Sequence, residues 1–301
     1  MKALVTGASG FVGRTLHDHL VDSGDEVVSL SRKTGGPDLT DRAATHAALS
    51  VHAVDVIYHL AAQSHVPLSW EDPIETHRVN IEGTQNLLDA AQAAPGSPRV
   101  LVVSSAEVYG SVTPTELPVT EDAPFRPSNP YAASKVAADA VALQSWLGRG
   151  QDVVRLRSFN HIGPGQSPAF VCSSLAHQIA RAELDGLTHI NVGNLDVRRD
   201  FSDVRDVVAA YRMVAESGES GQVYNVCSGV DRAISELADG LLSLSSADLE
   251  LVSDPALTRQ VDTPVVRGDN SRLVEATGWA PKFSLETTLA DVLDDARSAT
   301  R

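Results

Sequence analysis

A short apolar run at 3–5 leads directly into Gly7-Ala-Ser-Gly10-Phe-Val-Gly13, and apolar residues at helical spacing follow over 14–23. Three glycines in seven residues between a strand and a helix leave few options for the backbone. Gly7 permits a tight turn, Gly10 lets the chain approach a bulky anion, and Gly13 lets the helix pack close to the strand. The helix N-terminus, with Phe11 and Val12 in its first turn, turns unpaired N–H groups and a partial positive charge toward that anion. A glycine triplet alone also fits an ordinary turn; the strand before it and the helix after it make this one a dinucleotide-phosphate loop.

The same alternation continues. Runs at 27–30, 56–60, 100–103 and 153–156 are apolar throughout rather than alternating, as strands covered on both faces are, and they are separated by helix-like stretches at 82–93 and 131–147. Strand–helix alternation of this kind predicts an α/β fold: a Rossmann-type, doubly wound parallel sheet with right-handed crossovers. After about residue 160 the rhythm changes. A Gly/Pro-rich loop at 160–168 precedes a helix over 169–184, a strand at 223–226, a helix over 234–244 and a final helix after Gly278-Trp-Ala-Pro. We expect a dinucleotide-binding domain over 1–165, rejoined by about 199–228. A smaller substrate-binding lobe, 166–198 and 229–301, then closes over the carboxyl ends of the strands. Trp70, Trp146 and Trp279 read as packing residues.

Acidic residues outnumber basic ones 39 to 24, a net charge of −15, which repels nucleic-acid phosphates and anionic membranes. An anionic ligand therefore needs locally placed arginines. No run reaches membrane-spanning length, and lysine and apolar residues begin a strand straight after Met1 rather than a signal peptide. Cys172 and Cys227 have no metal-ligand spacing, and the ten histidines contain no HxxxH pair, so no metal is expected. A cytoplasmic protein is the expectation.

The second strand ends at Ser31-Arg32-Lys33, where an acidic side chain would otherwise meet a ribose 2′-hydroxyl. A hydroxyl and a guanidinium suit a 2′-phosphate, so NADP(H) is favoured over NAD(H); the alternative is that Arg32 and Lys33 are solvated loop charges. Tyr131-Ala-Ala-Ser-Lys135 puts a phenol and an ammonium on one helix face. Free tyrosine has a pKa of about 10, and a lysine one turn on can stabilise its anion and hold a ribose. Ser105 ends an apolar strand about 26 residues earlier and can share a substrate oxygen with Tyr131.

Taken together these residues resemble the extended short-chain dehydrogenase/reductases in their nucleotide-sugar branch. The resemblance runs over nearly the whole chain: the Gly7/Gly10/Gly13 turn, Asp38-Leu39, His59-Leu60-Ala61-Ala62, Asn80, Ser105, Tyr131 and Lys135. It implies that Asp38 and Leu39 flank the adenine, and that Leu60, Ala61, Ala62 and Asn80 lie along the cofactor. Arg157-Ser-Phe-Asn160-His-Ile-Gly-Pro-Gly-Gln and Val192-Gly-Asn-Leu-Asp-Val-Arg-Arg199 are similar to GDP-sugar members, reductases of GDP-4-keto-6-deoxy-mannose and, more distantly, GDP-mannose 4,6-dehydratases. By that resemblance Asn160 and Arg199 contact the diphosphate, and Arg259 and Asp262 the nucleotide. A salt bridge from Arg199 to Asp200 or Asp203 is the structural alternative. Gln260 departs from the pattern, where a proline commonly follows the arginine.

Reductases, 4-epimerases and 4,6-dehydratases share the serine, tyrosine and lysine. An elimination needs a base, for which Glu107 is a candidate, and usually an acid beside it; Ala106 stands where many dehydratases carry one. The expectation is therefore reduction of a C4 ketone, with dehydratase or epimerase as alternatives, a catalytically silent NADP-binding regulator as a remote one, and loop capping as the other reading of Glu107. The helices at 82–93 and 131–147 are apolar on more than one face, and in the family they pair across a dimer as a four-helix bundle; a homodimer is expected.

Overall fold

A computed structural model describes residues 1–257 and 263–300. Its strands are β1 Lys2–Thr6, β2 Glu26–Leu30, β3 Val56–His59, β4 Arg99–Ser105, β5 Val153–Ser158, β6 Asn160–Ile162, β7 His189–Val192, β8 Arg198–Asp203, β9 Val223–Val226, β10 Asp231–Ala233, β11 Glu250–Ser253 and β12 Val265–Val266. Six of them form one parallel sheet in the order β2-β1-β3-β4-β5-β9. The strand order reverses between β1 and β3, so a crevice opens at their carboxyl ends, where open α/β sheets bind ligands.

Position in this sheet explains composition. Every residue of β3 and β5, inside the sheet, is buried, whereas β2 at one edge has two exposed residues and none buried. Alternate side chains feed two cores. Ala3, Val5, Tyr58 and Leu101 pack on one face with Leu16 and Leu20 of the Phe11–Asp22 helix and Val207, Tyr211 and Val214 of the Val204–Ser217 helix. Leu4, Ile57, Val100 and Val102 pack on the other with Leu87, Leu88 and Ala142, from the helices Gly83–Ala93 and Pro130–Arg149. Burying each such leucine or valine contributes roughly 1.5–3 kcal/mol.

A second core lies in the later half, where Leu175, Ile179, Leu237, Leu241, Leu289 and Val292 join the helices Val171–Asp185, Ile234–Ser243 and Leu285–Thr300. Its centre strand, β8, pairs with β6, β10 and β12. Three details differ from the sequence expectation. The stretch 198–203 belongs to this smaller sheet, and the chain rejoins the large one only from Val204, through the helix to β9. Residues expected in the lobe, Leu273 and Trp279, pack on the large sheet, with Trp279 Nε1 donating to the Asp206 carbonyl at 3.0 Å. Trp70 is 63% exposed rather than packed.

Candidate active site

The glycine turn closes with Gly10 N donating to Gly7 O at 2.9 Å. Gly7 has φ of 71°, in the left-handed region, and a Cβ there would lie 2.8 Å from Ala61 N. A Cβ on Gly13 would lie 2.2 Å from Gly7 O. No other residue fits either position without moving backbone. Gly10 is the N-cap of the following helix and supplies no side chain to its first turn, so the amides of Phe11 and Val12 need another acceptor. His59 ends β3, Leu60-Ala61-Ala62 follows it against this turn, and Ala61 N donates to Thr6 Oγ1 at 3.3 Å.

At the end of β2 the buried Ser31 meets Ser9, Oγ to Oγ at 2.5 Å. Arg32 is paired with Asp38 at 3.3 Å, with the Arg32 side chain largely in solvent and Asp38 partly buried. Asp38 also accepts from Thr40 N and Oγ1, which, with Arg32, hold its carboxyl below the usual range. Two residues expected at the cofactor thus hold each other, and Leu39 O accepts from Asn86 Nδ2 at 2.9 Å.

Tyr131 and Lys135 start the Pro130–Arg149 helix, whose N-cap Asn129 accepts from Ala132 N at 2.7 Å. Pro130 at the first position supplies the fixed φ a helix start favours. Both side chains are buried, and the neighbouring Ser105 favours the ionised form of Tyr131. The sequence suggested that Lys135 would hold the tyrosine's pKa down. Instead burial dominates and raises it to about 12, against the opposing effect of Ser105 and with the Glu107 charge adding to the rise. Burial likewise lowers Lys135 to about 8, opposed by Asp139, and its ammonium donates to Val103 O at 2.5 Å. Tyr131 therefore keeps its proton at neutral pH. Glu107 accepts from Asn129 Nδ2 at 3.1 Å, so it braces the start of this helix. The Ala106 methyl packs against an apolar cluster containing Val108, Tyr109 and Phe159.

Asn80 was expected along the cofactor. Its amide is consumed by protein: Nδ2 donates to Gln63 O at 2.9 Å and Ser134 Oγ at 2.8 Å, and Oδ1 accepts from Gln63 N at 2.8 Å. A π-turn over Arg78–Glu82 carries it inward to 1% exposure. These bonds tie it to the segment after β3 and to Ser134 of the tyrosine helix.

In the smaller lobe, Asn160 is exposed and opens β6, in register with Phe201 of β8. Two residues upstream on β8, Arg199 donates to the carbonyls of Arg198 at 2.8 Å and Thr263 at 2.6 Å. Asp200 receives Ser228 N and Oγ, Gly229 N and Gly268 N, and Asp203 pairs with Arg205 at 2.6 Å. Arg259 and Asp262 lie outside the described residues.

The profile of the GDP-mannose 4,6 dehydratase family matches residues 35–292. The chain belongs to this family, within the extended short-chain dehydrogenase/reductases. It is 41% identical over 302 residues to the GDP-6-deoxy-D-mannose reductase of Pseudomonas aeruginosa, covering 100% of this chain and 98% of that protein. It is 33% identical to the UDP-glucose 4-epimerase of Mycolicibacterium smegmatis over 99% of each. The solved structure of RMD from Pseudomonas aeruginosa, complexed with NADPH, superposes with a TM-score of 0.91 at 40% identity, over 99% of this chain and 100% of that one. The family accords with the doubly wound sheet expected from the alternating pattern.

Behind the tyrosine helix lies a group that sequence reasoning passed over. Asp139, 1% exposed, receives Arg155 at 3.0 Å and Arg157 at 2.9 Å, and Arg157 also donates to Tyr109 Oη at 3.0 Å. Two arginines in an apolar strand require a buried partner, and an acidic residue one turn past Lys135 was the signal. Arg14 was also missed. Its guanidinium donates to Ser9 O at 2.9 Å and Gly165 O at 3.1 Å, joining the glycine turn to the lobe's loop. Among the described residues no His, Cys, Asp and Glu group could hold a metal ion, and no helix is long and apolar enough to cross a membrane.

Proposed function

We propose that the chain reduces the C4 ketone of a GDP-4-keto-6-deoxy-hexose with NADP(H). The glycine turn fits a dinucleotide, because side chains at Gly7 and Gly13 would fill the cradle and the uncapped helix start offers amides to its phosphates. Gly7, Gly10, Phe11, Val12 and Gly13 would hold the pyrophosphate, Ser31 and Arg32 the 2′-phosphate, and Asp38, Leu39 and Leu60 to Ala62 the rest of the cofactor. When bound, the reduced nicotinamide supplies the hydride. Tyr131, kept protonated by burial, gives its proton to the developing alkoxide; Ser105 hydrogen-bonds the same oxygen. Lys135 then steadies the tyrosinate and orients the ribose. Asn160, Arg199, Arg259 and Asp262 would bind the nucleotide diphosphate, for which an acidic chain needs placed guanidiniums.

The observation that carries reduction over elimination is Ala106, a methyl packed on an apolar wall where a proton donor would be needed. The 41% identity to a reductase supports the same choice and the GDP-linked substrate. The NADPH complex of the P. aeruginosa protein supports NADP(H). We also propose a homodimer through the helices Gly83–Ala93 and Pro130–Arg149, supported by the 67% exposure of Leu147. Sedimentation at micromolar concentration should give the mass of two chains; a single-chain mass contradicts it. For the reaction, GDP-, UDP- and dTDP-linked 4-keto-6-deoxy sugars should be offered with NADPH. Loss of NADPH absorbance is expected with the GDP sugar at the highest kcat/KM, and turnover of GDP-mannose without loss of NADPH would overturn the reading.

A further inference from the structure

His59 ends β3 beneath the glycine turn and is 4% exposed. Both ring nitrogens are in hydrogen bonds: Nδ1 with Thr6 Oγ1 at 2.9 Å, and Nε2 with Thr84 Oγ1 at 2.9 Å. The directions can be worked out from the neighbours. Thr84 donates its only hydroxyl hydrogen to Asn80 O at 2.7 Å, so toward His59 it must accept, and Nε2 carries the proton. Nδ1 is then an acceptor, and Thr6 donates to it while accepting from Ala61 N. Only the Nε2–H tautomer lets every one of these bonds form together. A doubly protonated ring would turn the Thr6 hydroxyl hydrogen away from Nδ1. Burial and the Lys135 charge prevent this, lowering the His59 pKa to about 3.

The bonds run on without a break. Asn80 Nδ2 donates to Ser134 Oγ, and Ser134 Oγ donates to Tyr131 O at 2.7 Å. At the other end, Ala61 N is the atom that a Cβ on Gly7 would approach to 2.8 Å. We propose that His59 is a positioning residue, whose ring sets the spacing between the glycine turn and the helix carrying Tyr131 and Lys135. This rests on the reading of those two residues as the reaction centre. A leucine of similar size would satisfy the apolar packing at this strand end; it could not bridge two hydroxyls that face each other across the ring. One end of this bridge is Thr6 on β1 and the other is Thr84, just past the π-turn at Arg78–Glu82, and it runs beside the bonds of Asn80 to Gln63.

The test compares His59→Leu, which breaks both bonds, with His59→Gln, whose amide nitrogen can reach the Nε2 position and keep the Thr84 bond, and His59→Asn, whose oxygen keeps only the Thr6 bond. NADPH affinity is read by the cofactor's own fluorescence, without substrate, alongside the melting temperature and the kinetics. His59→Leu is expected to lose about 10²-fold in kcat with the sugar KM within about threefold, and to bind NADPH about tenfold more weakly; His59→Gln should recover most of the kcat. A folded His59→Leu with NADPH affinity and kcat near wild type, or one with only a lower melting temperature, overturns the proposal. If that variant does not fold, His59→Asn decides: a loss in both NADPH affinity and kcat supports the role, and wild-type values for both overturn it. A wild-type protein that binds NADPH yet reduces no keto sugar would count against the reaction reading alone, and the binding comparison would still decide the role of His59.

Discussion

The glycine turn and the tyrosine helix face one crevice but are built on opposite principles. The turn works by absence: Gly7 and Gly13 leave room that a single methyl would fill, and the helix start after them has no side-chain cap on its amides. The helix works by presence. It buries a phenol and an ammonium against their solvation preference and holds them with Ser105, Val103 O and Asp139. The first region is a steric device, indifferent to pH; the second is an electrostatic one. Substitutions and pH should therefore break them differently.

The largest effect is expected from Tyr131→Phe, which removes the proton donor and little volume. Steady-state kinetics should show kcat lower by about 10²–10⁴-fold, with NADPH affinity unchanged. Activity within a few-fold of wild type would erase the distinction between the two regions. Gly13→Ala should do the reverse. Its Cβ would meet Gly7 O at 2.2 Å, and an overpacking cost of about 1–3 kcal/mol predicts NADPH binding weaker by roughly 10–100-fold. The pH profile of this variant should match the wild type's.

The pH dependence sharpens the comparison further. With Lys135 lowered to about 8 from 10.5, kcat/KM, which reports the free enzyme, should fall as pH rises through about 8. Stability moves the other way. Between about 8 and 10.5 the unfolded chain binds the proton that the folded one has lost, so this group's contribution to stability rises with pH across that window. Denaturant titrations should show the rise in the wild type and its loss in Lys135→Met. The smallest effect is expected at Arg32→Ala. Because Arg32 is exposed and already paired with Asp38, the ratio of NADPH to NADH kcat/KM should drop only about two- to fivefold.

Much of this architecture was legible because strands covered on both faces are rich in buried apolar residues, and β1, β3, β4 and β5 inside the sheet carry that mark, as does β9 at its edge. The small lobe was less so. Its strands β6, β10 and β12 have three, three and two residues, too few for any period to show. In the site, the glycine turn and the Tyr131–Lys135 spacing were readable because their geometry is local. What escaped depends on contacts between distant segments. The pairing of Arg32 with Asp38 is made by a loop, Asn80 is turned inward to Ser134 by a π-turn, and Asp139 on the tyrosine helix finds Arg155 and Arg157 on β5. The balance between burial and charge at Tyr131 is likewise set by the packed environment, which a spacing of four residues does not contain.

The central claim is that hydride leaves the cofactor for good and ends on a sugar carbon. NADPH carrying deuterium at its transferable position should be incubated with the protein and a GDP-4-keto-6-deoxy-hexose, and the product examined by mass spectrometry and proton NMR. One deuterium at C4 for each NADPH oxidised is the predicted result. Conversion of a nucleotide sugar with no deuterium gained and no net oxidation of NADPH, the signature of an epimerase or a dehydratase, would contradict it.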